Sequence, residues 1–172
     1  MDHDAPTVAP FSHCSYCGSR FAQRAGWPRR CAACGNVSYR NPLPVAVLAV
    51  PVEDLGVLMV RRVDHPAGLA LPSGYIELGE RWQDAAAREL AEETGIWVDP
   101  TAIREFRVRS GADGTLLIFA TAPAITRAEV AAFVPSAEVS DLVVVSGPRD
   151  DVVFPLDAEV VATLWPSRTG AR

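Results

Sequence analysis

The chain contains no lysine; all 16 of its basic residues are arginine. This reads as a compositional bias of its genome rather than as function. Histidine is scarce, with only His3, His13 and His65 present, so a Ser-His or Cys-His mechanism has little material. Long hydrophobic runs are missing too. The longest, Pro42 to Val52, is too short and too β-branched to span a bilayer. The N-terminal residues are polar and acidic and carry no signal-peptide pattern. A cytoplasmic protein without membrane partners is therefore expected. No internal repeat is found.

What is present points to one good core with a small appendix. At 172 residues and 49% hydrophobic content the chain can bury a sizeable interior. Its charge is uneven. Residues 1 to 42 hold five Arg and two Asp, net +3, whereas the remaining 130 hold 11 Arg and 19 acids, net −8, within a total of −5.

Residues 74 to 96 concentrate acids, among them Glu80, Asp84, Glu89, Glu92 and Glu93, beside Arg81 and Arg88. Glu89, Glu92 and Glu93 stand at i, i+3 and i+4, which on a helix places them within an arc of about 100°. Like charges so spaced destabilise a bare helix. A hard divalent cation held by carboxylate oxygens would offset the repulsion. Charge alone also fits a solvated acidic helix face with surface ion pairs. Ala87, Leu90, Ala91 and Thr94 are small enough to pack the other side on a sheet, and Gly95 fits a helix C-terminus. Before the helix, Leu71-Pro72-Ser73-Gly74 and Gly79 mark a tight loop that can turn carbonyls toward the carboxylates. Such mixed oxygen donors suit Mg²⁺ or Mn²⁺.

The full spacing is more specific than the charge. Gly74, Glu80, Arg88, Glu89, Leu90, Glu92, Glu93, Gly95 and Ile96 occupy every fixed position of Gly-x5-Glu-x7-Arg-Glu-U-x-Glu-Glu-x-Gly-U, with U aliphatic. This is the Nudix box, and the chain resembles a Nudix hydrolase. The resemblance implies cleavage of the phosphoanhydride of a nucleoside diphosphate linked to another group, with a divalent metal. By position, Glu92 and Glu93 resemble the main metal ligands. Glu89 resembles a further ligand or the base that activates water. Glu80 is the auxiliary acid, Arg88 orients Glu80 or Glu89, and the carbonyl of Ser73 or Gly74 completes the metal shell. The implied fold is α/β, an α/β/α sandwich with a mixed sheet. Many relatives being homodimers, the resemblance also implies a homodimer.

Cys14-x2-Cys17-Gly and Cys31-x2-Cys34-Gly are two knuckles separated by 13 residues. That spacing signals a zinc ribbon, a closed four-thiolate structural Zn²⁺ site. So short a segment cannot bury a core, so the metal supplies much of its folding energy. His3 and His13 are spare donors nearby and read as surface residues. The ribbon's mild basic excess could touch a phosphate-bearing ligand. It lacks the dense basic and aromatic interleaving of a committed nucleic-acid binder, so nucleic acid is not the expected partner.

The expected organisation is a ribbon with its tail at 1–42, a Nudix hydrolase domain at 43–166, and a loose tail at 167–172. Strands are expected near 45–52, 57–62, 103–109, 115–121 and 139–146, with helices up to Thr94 and at 127–133 and 156–164. Arg61 and Arg62 end a strand, so one of them can reach a substrate phosphate while the other faces away. Tyr75, Trp82 and Phe119 could stack on a base or belong to the core. Glu138 and Asp141 are candidates for a later acid that such enzymes draw from outside the box, or are plain loop acids. Phe154-Pro155 is assigned to packing. A zinc ribbon directly before the box resembles two groups, NADH pyrophosphatases and FAD or ADP-ribose pyrophosphatases. The junction Tyr39-Arg40-Asn41-Pro42 and the lack of a Ser-Gln-Pro-Trp-Pro-Phe-Pro element favour the second. A nucleotide substrate releasing a nucleoside monophosphate is expected. The alternatives are a nucleotide sensor and an enzyme that removes an RNA cap.

Overall fold

The structure is a computed structural model and describes residues 9–22 and 26–165. His3 and the expected loose tail at 167–172 lie outside the described residues. The chain divides into two compact units, Met1–Pro42 and Leu43–Arg172.

The first unit is built from two knuckles and a minimal hairpin of β1 (Arg29–Arg30) and β2 (Val37–Ser38). Its core is small: Cys14, Phe21 and Cys31 are buried and Trp27 packs against them. Each knuckle closes when a glycine N–H bonds back to the first cysteine's carbonyl, Gly18 to Cys14 and Gly35 to Cys31, both at 2.9 Å. Both glycines take positive φ, 72° and 75°, which other residues rarely adopt.

The second unit has three layers. One four-stranded sheet runs in the order β7 (Ser73–Tyr75), β3 (Leu43–Ala49), β9 (Thr115–Thr121), β8 (Arg104–Ser110). It is mixed, because β3 and β9 are parallel and the other pairings antiparallel. The other sheet is antiparallel: β10 (Val139–Val145), β5 (Gly56–Arg62) and β4 (Pro51–Val52), with β6 (Gly68–Ala70) also paired to β5.

Strand alternation sends Ala46 and Leu48 toward α1 (Trp82–Thr94), where they meet Ala85, Ala86 and Leu90. Val45, Val47 and Ala49 go to the other cluster, with Val160 and Val161 of α3 (Pro155–Leu164). Both faces of β3 are thus buried, and its sequence is a continuous apolar run. Each fully buried leucine, such as Leu48, Leu58 or Leu90, contributes ~1.5–3 kcal/mol. A five-residue α2 (Arg127–Ala131) starts with a capping box of Thr126 and Glu129.

The fold is the α/β architecture expected. The details differ in two places. The apolar run expected as one strand at 45–52 passes from one sheet to the other after Ala49, giving β3 and β4. The loop expected from Leu71 to Gly79 is entered from β6 and contains β7, three residues each and in different sheets.

Candidate active site

A cleft of about 940 Å³ opens beside the N-terminal side of the box. Ser73, Gly74 and Tyr75 of β7, Arg88, Glu89 and Glu93 of α1, Arg62 at the end of β5 and Glu138 before β10 all border it. So does the start of α3, from Phe154 to Asp157. The cleft is therefore assembled from segments far apart in sequence, and α1 supplies its acidic wall.

Two environments divide the carboxylates of that wall. Arg88 takes most of them. Its guanidinium donates to Glu80 Oε1 at 2.9 Å and Oε2 at 3.1 Å, to Glu89 Oε1 at 2.7 Å, to Glu92 Oε2 at 3.1 Å and to the Tyr75 carbonyl at 3.0 Å. These charge-assisted bonds hold Glu80 below the usual carboxylate range. Arg88 thus offsets much of the repulsion that the sequence suggested a cation must offset. Burial raises the Glu89 carboxyl despite the pull of Arg88.

Glu93 is the exception. It is only 9% exposed and accepts one hydrogen bond, from the Ser73 N–H at 3.2 Å. Among the described residues it forms no ion pair with Arg88 or any other cation. Burial pushes its carboxyl up to about 8, against the Ser73 bond, and neighbouring Glu89 adds to the push. A desolvated carboxylate short of positive charge fits a divalent cation. The packing is close as well: at Gly74 a Cβ would meet the Glu89 carboxylate, so a side chain there would push the acid aside. Glu89, Glu93 and the carbonyls around Ser73–Gly74 could supply oxygen donors of the kind Mg²⁺ or Mn²⁺ takes.

The remaining candidates separate cleanly. Arg62 borders the cleft and Arg61 does not; Arg61 turns toward Asp151, 3.6 Å away. The Arg62 Nε is buried and has no hydrogen-bond partner, while its guanidinium carbon lies 5.9 Å from the centre of the Phe154 ring. Tyr75 borders the cleft and is 58% exposed. Phe119 is a core residue, and Trp82 packs partly buried against the α1 cluster. Glu138 is on the cleft, whereas Asp141 pairs across the strands with Arg61, off it. Glu80 and Glu92 also lie off the cleft lining, turned to Arg88.

Asp157 is among the cleft residues that the sequence did not single out. It is 4% exposed, and its Oδ2 accepts the Leu71 N–H at 2.9 Å. Burial pushes its carboxyl up to about 6, against that bond and the nearby Arg62 charge. Its only local signal was an acid following Phe154-Pro155 in the first turn of a helix.

In the ribbon, the Sγ atoms of Cys14, Cys17, Cys31 and Cys34 all lie within 4.8 Å of one another. Cys14 to Cys34 is 3.7 Å and Cys17 to Cys31 is 3.6 Å. A tetrahedron of thiolates around zinc, with bonds of about 2.3 Å, has edges of about 3.8 Å. A cation would allow the four sulfurs to ionise together. Ser19 brings Cys17 down to about 6. Cys34 is pulled down by the Asn36 N–H, yet burial and the other three sulfurs push it up to about 11. Four sulfurs this close cannot all ionise unaided. His13 instead places Nδ1 2.9 Å from the Ser12 hydroxyl.

Residues 42–165 match the family model for the NUDIX domain. Among curated proteins the chain is similar to the NAD-capped RNA hydrolase NudC of Salmonella typhi, 34% identical over 87 residues, covering 49% of this chain and 34% of that one. With the protein of the same name from Klebsiella pneumoniae subsp. pneumoniae it is 27% identical over 119 residues, covering 61% and 46%. The chain thus spans less than half the length of these relatives. Among solved structures it resembles a NUDIX hydrolase from Nitrosomonas europaea, with TM-score 0.69, 24% identity and 86% of each chain covered. It also resembles an ADP-ribose pyrophosphatase from Streptococcus suis, with TM-score 0.54, 17% identity and coverage of 77% and 96%. At these identities the structural likeness speaks for the fold alone.

Proposed function

The chain belongs to the Nudix family, and from that premise we propose that it is a divalent-metal-dependent pyrophosphohydrolase. It splits the phosphoanhydride of a nucleoside diphosphate linked to a second group, such as FAD, ADP-ribose or an NADH-like dinucleotide, and releases a nucleoside monophosphate. The observation that carries this reading is the buried Glu93 carboxylate on the cleft wall, bonded to one backbone N–H.

Glu93 and Glu89, with the carbonyl of Ser73 or Gly74, would hold Mg²⁺ or Mn²⁺, and Glu92 would join them by its place in the box. Bound there, the metal supplies charge for the phosphate oxygens and lowers the pKa of water. Arg88 keeps Glu80 and Glu89 oriented through its fork of hydrogen bonds. Arg62, which borders the cleft, offers its guanidinium to a phosphate oxygen. Water attacks one phosphorus, the bridging P–O bond breaks, and the leaving phosphate keeps the electron pair. Either Glu89 or Glu138, a further acid on the cleft, takes the water proton. Tyr75 presents an exposed ring for a base to stack on. The four-cysteine cluster holds structural Zn²⁺. We further assign the ribbon to residues 1–42 and the hydrolase domain to 43–166, with a cytoplasmic location and a homodimeric state. Among the described residues no helix is long and apolar enough to cross a membrane.

A second reading, removal of a nucleotide cap from RNA, is favoured by the names of the NudC relatives. The ribbon would then help hold the RNA, with Arg40 stacked 4.7 Å from the centre of the Phe11 ring. One panel separates the two readings. FAD, NADH, ADP-ribose, diadenosine polyphosphates and a nicotinamide-capped RNA are offered with Mg²⁺ or Mn²⁺, with Glu93→Gln as control. Preferred cleavage of a free dinucleotide or nucleotide sugar supports the first reading. Preferred cleavage of the capped RNA, with salt-dependent RNA affinity, supports the second. Tight binding of one compound with no cleavage of any would make the protein a nucleotide sensor.

A further inference from the structure

The segment that carries the box's first glycine does not stand alone. β6 pairs with β5 in one sheet, and β7 pairs with β3 in the other, so Leu71 and Pro72 form the crossing between sheets. Proline has no N–H, which leaves two backbone donors in the stretch Leu71–Pro72–Ser73. Both go to buried carboxylates. The Leu71 N–H donates to Asp157 at 2.9 Å and the Ser73 N–H donates to Glu93 at 3.2 Å. The Pro72 carbonyl in turn accepts the Leu48 N–H of β3 at 2.9 Å.

The chain leading into α3 reinforces the same spot. Leu69 donates to the Asp151 carbonyl and accepts from the Val153 N–H, each at 2.9 Å. Val153 is also packed so closely on Gly68 that a Cβ there would strike it. Asp157 lies in the first turn of α3, where the N-terminal end of the helix favours a carboxylate. Asp157 lies 86 residues from Leu71 in sequence. Through that bond α3 reaches back to the crossing two residues before the proposed metal-facing carbonyls.

We propose that Asp157 is a positioning residue for the metal site. By accepting the Leu71 N–H it fixes the Leu71–Pro72 crossing, and so sets the Ser73 and Gly74 backbone against Glu93 and Glu89. The proposal rests on the hydrolase reading for its kinetic consequence, but its structural consequence can be read with metal alone.

The test measures Mn²⁺ affinity by electron paramagnetic resonance on full-length protein with zinc retained. It compares the unaltered chain, Asp157→Ala and Asp157→Asn, and takes kcat, KM and melting temperature on the same samples. Loss of a group that orients metal ligands weakens metal binding or activity by about 10–100-fold. Asp157→Ala is therefore expected to weaken Mn²⁺ binding and to lower kcat within that range, with KM changed by less than about threefold. Asp157→Asn keeps an acceptor oxygen and recovers most of both losses. Unchanged Mn²⁺ affinity and kcat in a folded Asp157→Ala protein would overturn the proposal even if the melting temperature fell. Failure of Asn to rescue would overturn it as well. Should Asp157→Ala not fold, Asp157→Ser, whose oxygen sits closer to its own backbone, takes its place. Failure of both to fold would make Asp157 a folding residue and refute a positioning role. An unaltered chain that binds Mn²⁺ but cleaves nothing would count against the hydrolase and leave the Mn²⁺ comparison intact.

Discussion

The two clusters of candidate metal donors in this chain are organised in opposite ways. In the ribbon, four sulfurs converge within 4.8 Å of one another, brought there by two short turns that each close on a glycine. On and just before α1, the acids of the box are shared out: Glu80, Glu89 and Glu92 bind Arg88, and Glu93 faces the opposite backbone. Among the described residues only the cysteines gather three or more metal-type side chains so closely. Local backbone builds the first cluster, with few groups besides a metal to satisfy it. Tertiary structure builds the second, with an internal cation that can share its acids. That difference suits a closed structural site and an open working site.

The largest effect that would break this contrast is expected in the ribbon. Cys31→Ser should abolish zinc retention, because structural Zn²⁺ contributes about 10–16 kcal/mol in small zinc modules. Zinc content and amide exchange of the ribbon check it. Zinc held as tightly by the variant would mean the cluster is not a four-thiolate site.

Next comes Glu93→Gln. It should lower kcat by at least ~100-fold, since a proposed metal ligand is lost. The fold should persist, because the amide keeps an oxygen for the Ser73 N–H. Retained turnover would remove Glu93 from the metal site. Arg88→Gln should follow with a loss of roughly tenfold in kcat and a fall in melting temperature, since Glu80, Glu89 and Glu92 lose their shared partner.

The smallest effect is a pH dependence of stability. The Glu93 carboxyl is raised from 4.5 to about 8 in the folded chain. Below the lower value both folded and unfolded states are protonated, and the group contributes nothing. As pH rises toward the higher value, the unfolded carboxylate ionises first, so stability is lost progressively and then levels off. Asp157 acts in the same sense between 3.8 and about 6. Metal-free protein should therefore melt at lower temperature as pH rises across these windows. Glu93→Gln should flatten the upper part of the curve, and a slope unchanged by that substitution would count against the buried charge.

How much of this could be read from sequence depended on range. The cysteine knuckles and the box are local spacings, so their residues and helix were legible. The helix ends where Gly95 donates to the Ala91 carbonyl, as its position suggested. Of Arg61 and Arg62, alternation showed that only one could face a ligand. Which one depends on the packing of β5 among β10, β4 and β6. The switch of sheets after Ala49 was hidden in an uninterrupted apolar run that satisfies both sheets equally well. β6 and β7 were too short to leave a period. Asp157 was invisible as a site residue because its partner, Leu71, contributes only a backbone N–H from 86 positions away. Phe119 and Trp82 could have been stacking groups, but Phe119 is buried in the core and Trp82 packs against the α1 cluster.

The contrast between the two clusters is tested most directly by counting metals. Protein purified and dialysed against a mild chelator is analysed for zinc and then titrated with Mn²⁺, alongside Cys31→Ser and Glu93→Gln. The account predicts one retained zinc and reversible Mn²⁺ binding in the unaltered chain. Cys31→Ser should lose the zinc, and Glu93→Gln should lose Mn²⁺ binding while keeping it. Mn²⁺ binding unaffected by Glu93→Gln, or zinc retained by Cys31→Ser, would contradict it.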